Sequence, residues 1–520
     1  MASEGASPAG RGRHGGRGGC GRDGQDGQEG LLDGHDLTVG YVGTMTALVG
    51  MIILVPLAVL PFYPEEARWA PCFLVPSALC VAIGGAFASR MRHRRRGRMY
   101  AGQDAVVIVL TWLVAMNACA VPFWLWGMDF TSAVFETMSG LSTTTFTLID
   151  ADSCPHVFLF FRSVLLFFGG IGLVLVMVSA VSDAHGMRLF SEAGHSDRLL
   201  PNLVRSARLV LRVYLVYIAA GTAALTIAGM GPFDAVNHAI GALATGGFST
   251  RSGNIAAFGS PAVETVMVAL MLLGGTNVAL HVTLLRRGWR PFARDVETRS
   301  YVATVVVACV LVTCALLASG WAPSVPDAVR IGVFQTVSAV TTTGYSTVPS
   351  LAGWPAMACY VLMLGMVVGA EANSTGGGIK QWRFAIIVRE LMWAMRDRVT
   401  HRREVHVDKV EHLGARKAIS ADERKGIAVY ALGYLVALLA GSFVYTCFGY
   451  PVGDSLLEFA SALSTVGLGV GINAPGASPV ILWTTTFGMF LGRLEVVPVL
   501  VAFAHGCERA RRKARELRGR

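Results

Sequence analysis

The stretch LSTTTFTLID, residues 141–150, lies between two long apolar segments. Three threonines run directly into Phe146. β-Branched residues lose side-chain freedom in a helix, and solvent loops favour Gly, Asn or Pro. The run is therefore neither a good helix nor an ordinary surface loop. Related stretches recur around Gly247, Gly344 and Gly467, each with glycine where the first has Thr145.

With these four residues as position zero, a repeat emerges. Two residues before stands a threonine each time: Thr143, Thr245, Thr342 and Thr465. One after is bulky and apolar or aromatic: Phe146, Phe248, Tyr345 and Leu468. Two after is small: Thr147, Ser249, Ser346 and Gly469. Five before is small too (Gly140, Ala242, Ala339, Ala462), and nine before is polar (Glu136, His238, Gln335, Glu458). The zero positions lie 102, 97 and 123 residues apart. Each unit reads as one long apolar span, a short helix, the threonine stretch and a second span. The short helices, about 130–141, 232–243, 329–340 and 453–464, are too short to cross a bilayer and read as re-entrant. Non-helical backbone at membrane depth is tolerated only under protein cover or along a watery cavity. Four equivalent re-entrant segments can meet on one axis, where their carbonyls form a ring. Such a ring can replace the water shell of a cation, and helix C-terminal ends aimed at it add negative potential.

Composition agrees with a membrane setting. Charged residues make up 15% of the 520, against about 25% in soluble domains. Mean hydropathy is +0.53. A soluble chain of this kind would expose large apolar patches. Ten stretches are long and apolar enough to span: 37–61, 67–89, 103–127, 157–182, 204–230, 261–285, 301–320, 354–395 with an interruption, 425–449 and 479–504. Basic residues fall in every second loop, at Arg90–Arg98, Arg188–Arg205, Arg286–Arg299 and Arg396–Lys425. The opposite loops hold Glu65, Glu66, Asp129, Asp327 and Asp454. The positive-inside rule then puts both termini in the cytoplasm of a multi-pass plasma-membrane protein. It also explains the net charge of +10 without nucleic acid as a partner.

The expected organisation is a disordered Gly/Arg-rich tail (1–35) without a signal-peptide pattern, and a two-helix extension (36–99). Three repeats follow at 100–185, 186–290 and 291–395, then a basic cytoplasmic loop (396–424), a fourth repeat (425–506) and a basic tail (507–520). The ten cysteines are scattered, with no CxxC pair, and read as core-filling residues. His238 and His281 stand singly, without ligand partners at usable spacing. No catalytic cluster points to an enzyme.

The eighth span carries GAEANSTGGGIKQWR, residues 369–383. Ser374, Thr375, Gly376, Gly377 and Gly378 in a row should break the helix, and Lys380 follows. GGGIK lacks the GK[ST] ending of a phosphate loop and sits within a span. Arg493 lies about 14 residues into the last span, past the midplane at about 1.5 Å per residue. A charge there should face a cavity or a partner. It either lines the permeation path or pairs with Glu495 or Glu371.

The stretches ETMSGLSTTTFT, ALATGGFSTR, AVTTTGYST, STGGGIKQWR and GRLE resemble the Trk/Ktr/HKT superfamily of potassium and sodium transporters, and its TrkH branch most closely. The resemblance runs over about residues 37–505. It implies an all-α fold: four pseudo-symmetric span–pore-helix–span repeats around one pore, plus two extra N-terminal spans, about ten transmembrane helices in all. The filter it implies is Thr143-Thr144-Thr145, Thr245-Gly246-Gly247, Thr342-Thr343-Gly344 and Thr465-Val466-Gly467. The gate it implies is the loop Ser374–Gly378 with Lys380 and Arg493. It also implies potassium as the substrate and no cofactor in the chain itself. The implied partners are membrane lipid, a second copy in a homodimer and a cytosolic TrkA-type nucleotide-binding regulator, with transport as ion symport or channel-like flow. Glu371 and Asn373 stand where the family usually has small residues. Relatives in the HKT branch with serine at the first filter position favour sodium. Thr145 therefore raises the alternative of a sodium-permeable or weakly selective transporter, with selectivity restored in Thr145→Gly. A non-conducting regulatory or structural subunit and a membrane enzyme are the readings from other classes.

Overall fold

The computed structural model describes residues 26–92, 103–171, 203–399 and 409–518. The predicted tail up to residue 25, most of the basic runs 90–98 and 188–205, the end of the fourth predicted span (172–182) and the centre of the basic loop (400–408) lie outside the described residues. Among the described residues, the regular elements are helices apart from one short hairpin.

Among the described residues six helices are long and apolar enough to cross a membrane. They are Thr38–Val59, Pro64–Ser89, Ala105–Trp126, Arg208–Ile227, Val296–Ala318 and Ala421–Cys447. Two further stretches pass only as bent pairs, Pro261–Gly274 with Val278–Leu284 (99°) and Pro479–Leu494 with Val496–Glu508 (103°). Counting each bent pair once gives eight. His156–Gly170 and Ala356–Val368 are apolar but shorter. The outer faces of the long helices carry exposed side chains such as Val216 on Arg208–Ile227 and Leu432 and Phe443 on Ala421–Cys447, the pattern of helices facing lipid.

Several expectations need correction. The first helix, Asp26–Leu54, begins inside the stretch 1–35 that was expected to lack structure. The spans 261–285 and 479–504 are bent. In the first, Asn277 restarts a helix by capping Ala279 N–H at 2.9 Å. In the second, Glu495 takes a left-handed φ of 62° and is held by Arg383 at 2.7 Å. Arg493 therefore sits at a helix end beside the bend, not part-way along a straight span. Within the basic loop, Lys409–His412 pairs antiparallel with Ala415–Ala418. Leu413 (φ 50°) and Gly414 (φ 77°) make the two-residue turn that suits a hairpin.

The four short helices are Phe130–Leu141, Pro232–Leu243, Val325–Val340 and Val452–Leu463. The third starts four residues earlier than expected, because Ser324 caps the N–H of Asp327 at 3.3 Å and a proline occupies the first turn. Their inner halves are wholly buried, and all four end immediately before the threonine stretches. The first two long helices pack through small residues. A Cβ on Gly84 would lie 2.5 Å from Ala47 N and 2.6 Å from Gly43 O, so the backbones touch.

Candidate functional site

Each short helix ends in the same hydrogen-bonded turn. The N–H of the threonine two before position zero reaches back to the carbonyl five before: Thr143 to Gly140, Thr245 to Ala242, Thr342 to Ala339 and Thr465 to Ala462, at 3.1–3.3 Å. The next N–H reaches the carbonyl six before: Thr144 to Ser139, Gly246 to Gly241, Thr343 to Ser338 and Val466 to Ser461, at 2.8–2.9 Å. This pair of bonds is a Schellman cap, whose left-handed residue is usually glycine. Here it is threonine four times, at φ 64°, 50°, 56° and 56°. A β-branched residue in that region costs about 1–2 kcal/mol and persists only where its surroundings over-determine it. The recurring threonine is thus the bend that turns each helix end into extended backbone.

Position zero is less uniform than the sequence implies. Thr145 (φ 67°), Gly344 (φ 91°) and Gly467 (φ 93°) are left-handed, whereas Gly247 is absent from the positive-φ residues. Thr145 thus adopts the conformation of the third and fourth glycines.

The four stretches close on one another in a ring. A Cβ on Gly467 would land on the Thr144 carbonyl, and one on Gly344 on the Val466 carbonyl. One on Gly247 would lie 2.5 Å from Tyr345 N and 2.6 Å from Gly344 O. Between first and second stretch, the Gly247 N–H donates to Thr145 Oγ1 at 3.0 Å. Glycine is needed at these positions because neighbouring backbones lie where a side chain would go.

The polar residue nine before position zero braces the descending limb each time. Glu136 accepts from Thr147 Oγ1 (2.9 Å) and Leu148 N (3.0 Å). His238 Nε2 meets Ser249 Oγ at 2.9 Å, and Gln335 donates to Ser346 Oγ at 2.7 Å. Glu458 accepts from Val470 N (2.7 Å) and Asn473 N (3.0 Å). All four are fully buried. Arg162, which the sequence reading passed over, pairs with Glu136 at 3.1 Å and lies 3.9 Å above the Phe248 ring. Its signal was present as a lone charge inside a predicted span. On the exposed end of the first stretch, hydrogen bonds from Ser252 and Ser153 hold the Asp150 carboxyl below the usual carboxylate range.

The break in the eighth span is a compact knuckle under the ring. Gly369, Asn373, Gly378 and Lys380 have positive φ, and Ile379 N and Lys380 N return to Val367 O (2.9 Å) and Val368 O (3.0 Å). Gly377 N donates to Thr342 Oγ1 at 2.7 Å. Thr375 Oγ1 donates to Leu243 O (3.0 Å) and Gly274 O (3.1 Å). A Cβ on Gly377 would land on Ser464 O and Thr465 Oγ1. The knuckle therefore touches the second, third and fourth stretches. Ser374 Oγ bonds Glu371 O at 2.5 Å, and Lys380 Nζ donates to Gly376 O.

Arg493 donates to Thr375 O at 2.8 Å, to Gly170 O at 3.0 Å and to Gly169 O. Neither expected carboxylate partner takes part. Glu495 binds Arg383, and Glu371 accepts from Asn277 N at 2.7 Å. Glu297 was missed at the sequence level. Its Oε1 accepts from Ala372 N, and from Trp382 N at 3.1 Å, so one carboxylate holds both flanks of the knuckle.

The donor set for a bound metal is weak by chemistry. Asp295, Glu297 and His412 bring ligand atoms within 4.8 Å of one another. Asp295, however, caps Glu297 N (2.9 Å) and holds Leu413 N (2.8 Å), and Glu297 holds the knuckle. His238 and His281 sit in separate hydrogen-bonded niches. His238 Nδ1 meets Asp234 O at 2.7 Å, and His281 meets Tyr217 OH at 3.1 Å and Leu273 O at 3.2 Å.

Comparison with known proteins bears on this geometry. A sequence profile of the TrkH cation transport proteins matches residues 71–512. The Trk system potassium uptake protein TrkH of Salmonella typhimurium is 30% identical over 483 residues, 89% of this chain and 97% of that protein. The Trk system potassium uptake protein TrkG of Escherichia coli is 27% identical over 484 residues, 89% and 96% of the two chains. The crystal structure of the potassium transporter TrkH from Vibrio parahaemolyticus superposes with a TM-score of 0.79 at 26% identity, covering 89% of this chain and 97% of that one.

Proposed function

The chain belongs to the TrkH family of cation transport proteins, and from that premise we propose that it is the potassium-uptake membrane subunit of a Trk system. It is a multi-pass membrane transport protein rather than an enzyme. In our proposal four span–pore-helix–span repeats, with two extra N-terminal spans, surround one pore. Its filter comprises Thr143–Thr145, Thr245–Gly247, Thr342–Gly344 and Thr465–Gly467. The observation that carries this is the ring of contacts among the four stretches, each stretch touching the next. Carbonyls presented by left-handed and extended backbone replace water around a dehydrated monovalent cation. The C-terminal ends of the four short helices add negative potential there.

The knuckle Ser374–Gly378, with Lys380 and Arg493, closes the pathway from below. Its hydrogen bonds to Thr342 and Leu243 tie it to the underside of the filter, and Arg493 sets a cationic barrier. Opening requires those bonds to break. Both termini face the cytoplasm, and a homodimer works with a cytosolic TrkA-type regulator that carries the nucleotide. Growth of a potassium-uptake-deficient strain at low potassium tests the proposal. Rescue supports potassium uptake. Absence of rescue with the chain present in the membrane counts against it.

A sodium-permeable or weakly selective transporter is the second possibility. One observation favours it: Thr145 Oγ1 lies 2.9 Å and 2.8 Å from where Cβ atoms of Gly344 and Gly467 would stand. The hydroxyl thus intrudes on a level that glycine leaves open. Flux of potassium and sodium in liposomes holding this chain alone distinguishes the two. The same assay tests the non-conducting alternative, which predicts no flux of either ion.

A further inference from the structure

The second filter stretch lacks a serine that the other three possess, and its neighbours supply what it lacks. Six residues before position zero stand Ser139, Ser338 and Ser461, but the second stretch has Gly241. In the third stretch this serine does two things. Ser338 Oγ accepts from the N–H at position zero, Gly344, at 3.1 Å, and donates to the next carbonyl, Tyr345 O, at 2.6 Å. Ser139 donates to the corresponding Phe146 carbonyl at 2.6 Å. Ser461 accepts from Gly467 N at 2.9 Å.

In the second stretch both groups would be left without that hydroxyl. They are not orphaned. The Gly247 N–H donates to Thr145 Oγ1 at 3.0 Å, from the first stretch. The Phe248 carbonyl accepts from Tyr345 OH at 3.1 Å, from the third. Gly241 and Tyr345 are complementary in space, because a Cβ on Gly241 would land on the tyrosine hydroxyl. Tyr345 is fully buried. A buried backbone group that loses its only partner pays its full desolvation penalty.

We infer that Thr145 and Tyr345 are positioning residues that jointly replace the missing serine, fixing the Gly247 N–H and the Phe248 carbonyl and thereby the shape of the second filter quarter. Thr145 is then a hydroxyl retained for its neighbour, rather than a glycine lost from its own quarter. This rests on the filter assignment proposed above. The two accounts of Thr145 predict opposite results for one substitution.

The test uses the full-length chain. Amide hydrogen exchange is followed in detergent across the peptide 243–250, and the K⁺/Na⁺ flux ratio in liposomes. Thr145→Gly is expected to speed exchange at Gly247 and to lower the ratio by about fivefold, the factor one buried hydrogen bond carries. Thr145→Ser, which keeps the hydroxyl, is expected to retain more of both than Thr145→Gly. Tyr345→Phe, which removes one oxygen and keeps the ring, is expected to lower the ratio to a similar extent. Ser442→Ala, which removes a buried hydroxyl bonded within its own helix to Leu438 O at 2.7 Å, should leave the ratio unchanged. A higher ratio in Thr145→Gly, or unchanged exchange in that variant, overturns the inference. So does a Tyr345→Phe ratio equal to that of Ser442→Ala. The exchange measurement does not depend on flux, so it decides the hydrogen-bond assignment even if the wild-type chain conducts neither ion and the filter assignment fails.

Discussion

Arg493 shows what a single residue can and cannot announce. A guanidinium in an apolar stretch must find partners, so its importance is legible from the sequence. Its partners are not, because Gly169 and Gly170 lie more than 300 positions earlier in the chain. They are also backbone carbonyls, which every residue type carries. Charge-assisted bonds to such acceptors contribute about 1.5–3 kcal/mol each. Arg493→Ala removes both the anchors of the knuckle and the positive charge that our proposal places beneath the filter. Basal potassium flux in liposomes is expected to rise roughly tenfold or more, since about 1.4 kcal/mol is one decade. Equal flux in variant and wild type would mean that Arg493 has no part in closing the pathway. The strained threonines teach a second lesson at this scale. The pattern Thr-x-Gly draws attention to the glycine as the left-handed residue. The left-handed bend common to all four quarters is at the threonine instead, because that is where each Schellman cap closes.

At the level of elements, the short helices were legible almost to the residue. Three of the four begin and end within one position of expectation, because length, apolar pattern and the following threonine all mark them. The glycine run of the knuckle was equally plain as a break. What it leans on was hidden. Glu297 comes from the start of a different helix, about 75 positions earlier, and reads in sequence as an ordinary acidic first-turn residue. Glu297→Gln keeps the shape but loses the charge that strengthens its bonds to Ala372 and Trp382. It is expected to raise basal flux by less than Arg493→Ala does. Gly377→Ala puts a methyl onto Ser464 O and Thr465 Oγ1 and must push the knuckle off the fourth threonine stretch. Flux in that variant is expected to exceed wild type with little change in the K⁺/Na⁺ ratio. Reduced flux would show that the knuckle supports the open path instead of blocking it.

Across the whole molecule, the periphery and the axis are built by different rules. The outer helices pack by small-residue contact and present apolar side chains to lipid, as the Gly43–Gly84 approach shows. Gly84→Leu overpacks that contact at a cost of about 1–3 kcal/mol. It is expected to lower the thermal midpoint of the detergent-solubilised protein while leaving the K⁺/Na⁺ flux ratio unchanged. A changed ratio would mean that the N-terminal pair reaches the axis. Hydropathy and repeat spacing sufficed for the class of protein and for the places where the four short helices stop, and the quoted motifs for the family resemblance, because these depend on the local chain and its solvent. Two bends escaped them. An apolar run looks the same whether its helix continues or turns through about 100°, and the turn at Glu495 depends on Arg383, 112 positions away. The identity of the residues that hold the proposed filter was likewise decided only in three dimensions. Thr145 and Tyr345 serve a quarter that is not their own, and a hydrogen bond between quarters leaves no periodic trace in either strand of sequence. The sequence determined that four like segments exist and what each is made of. Tertiary structure decided which neighbour completes which, because satisfying a buried polar group is a matter of distance in space.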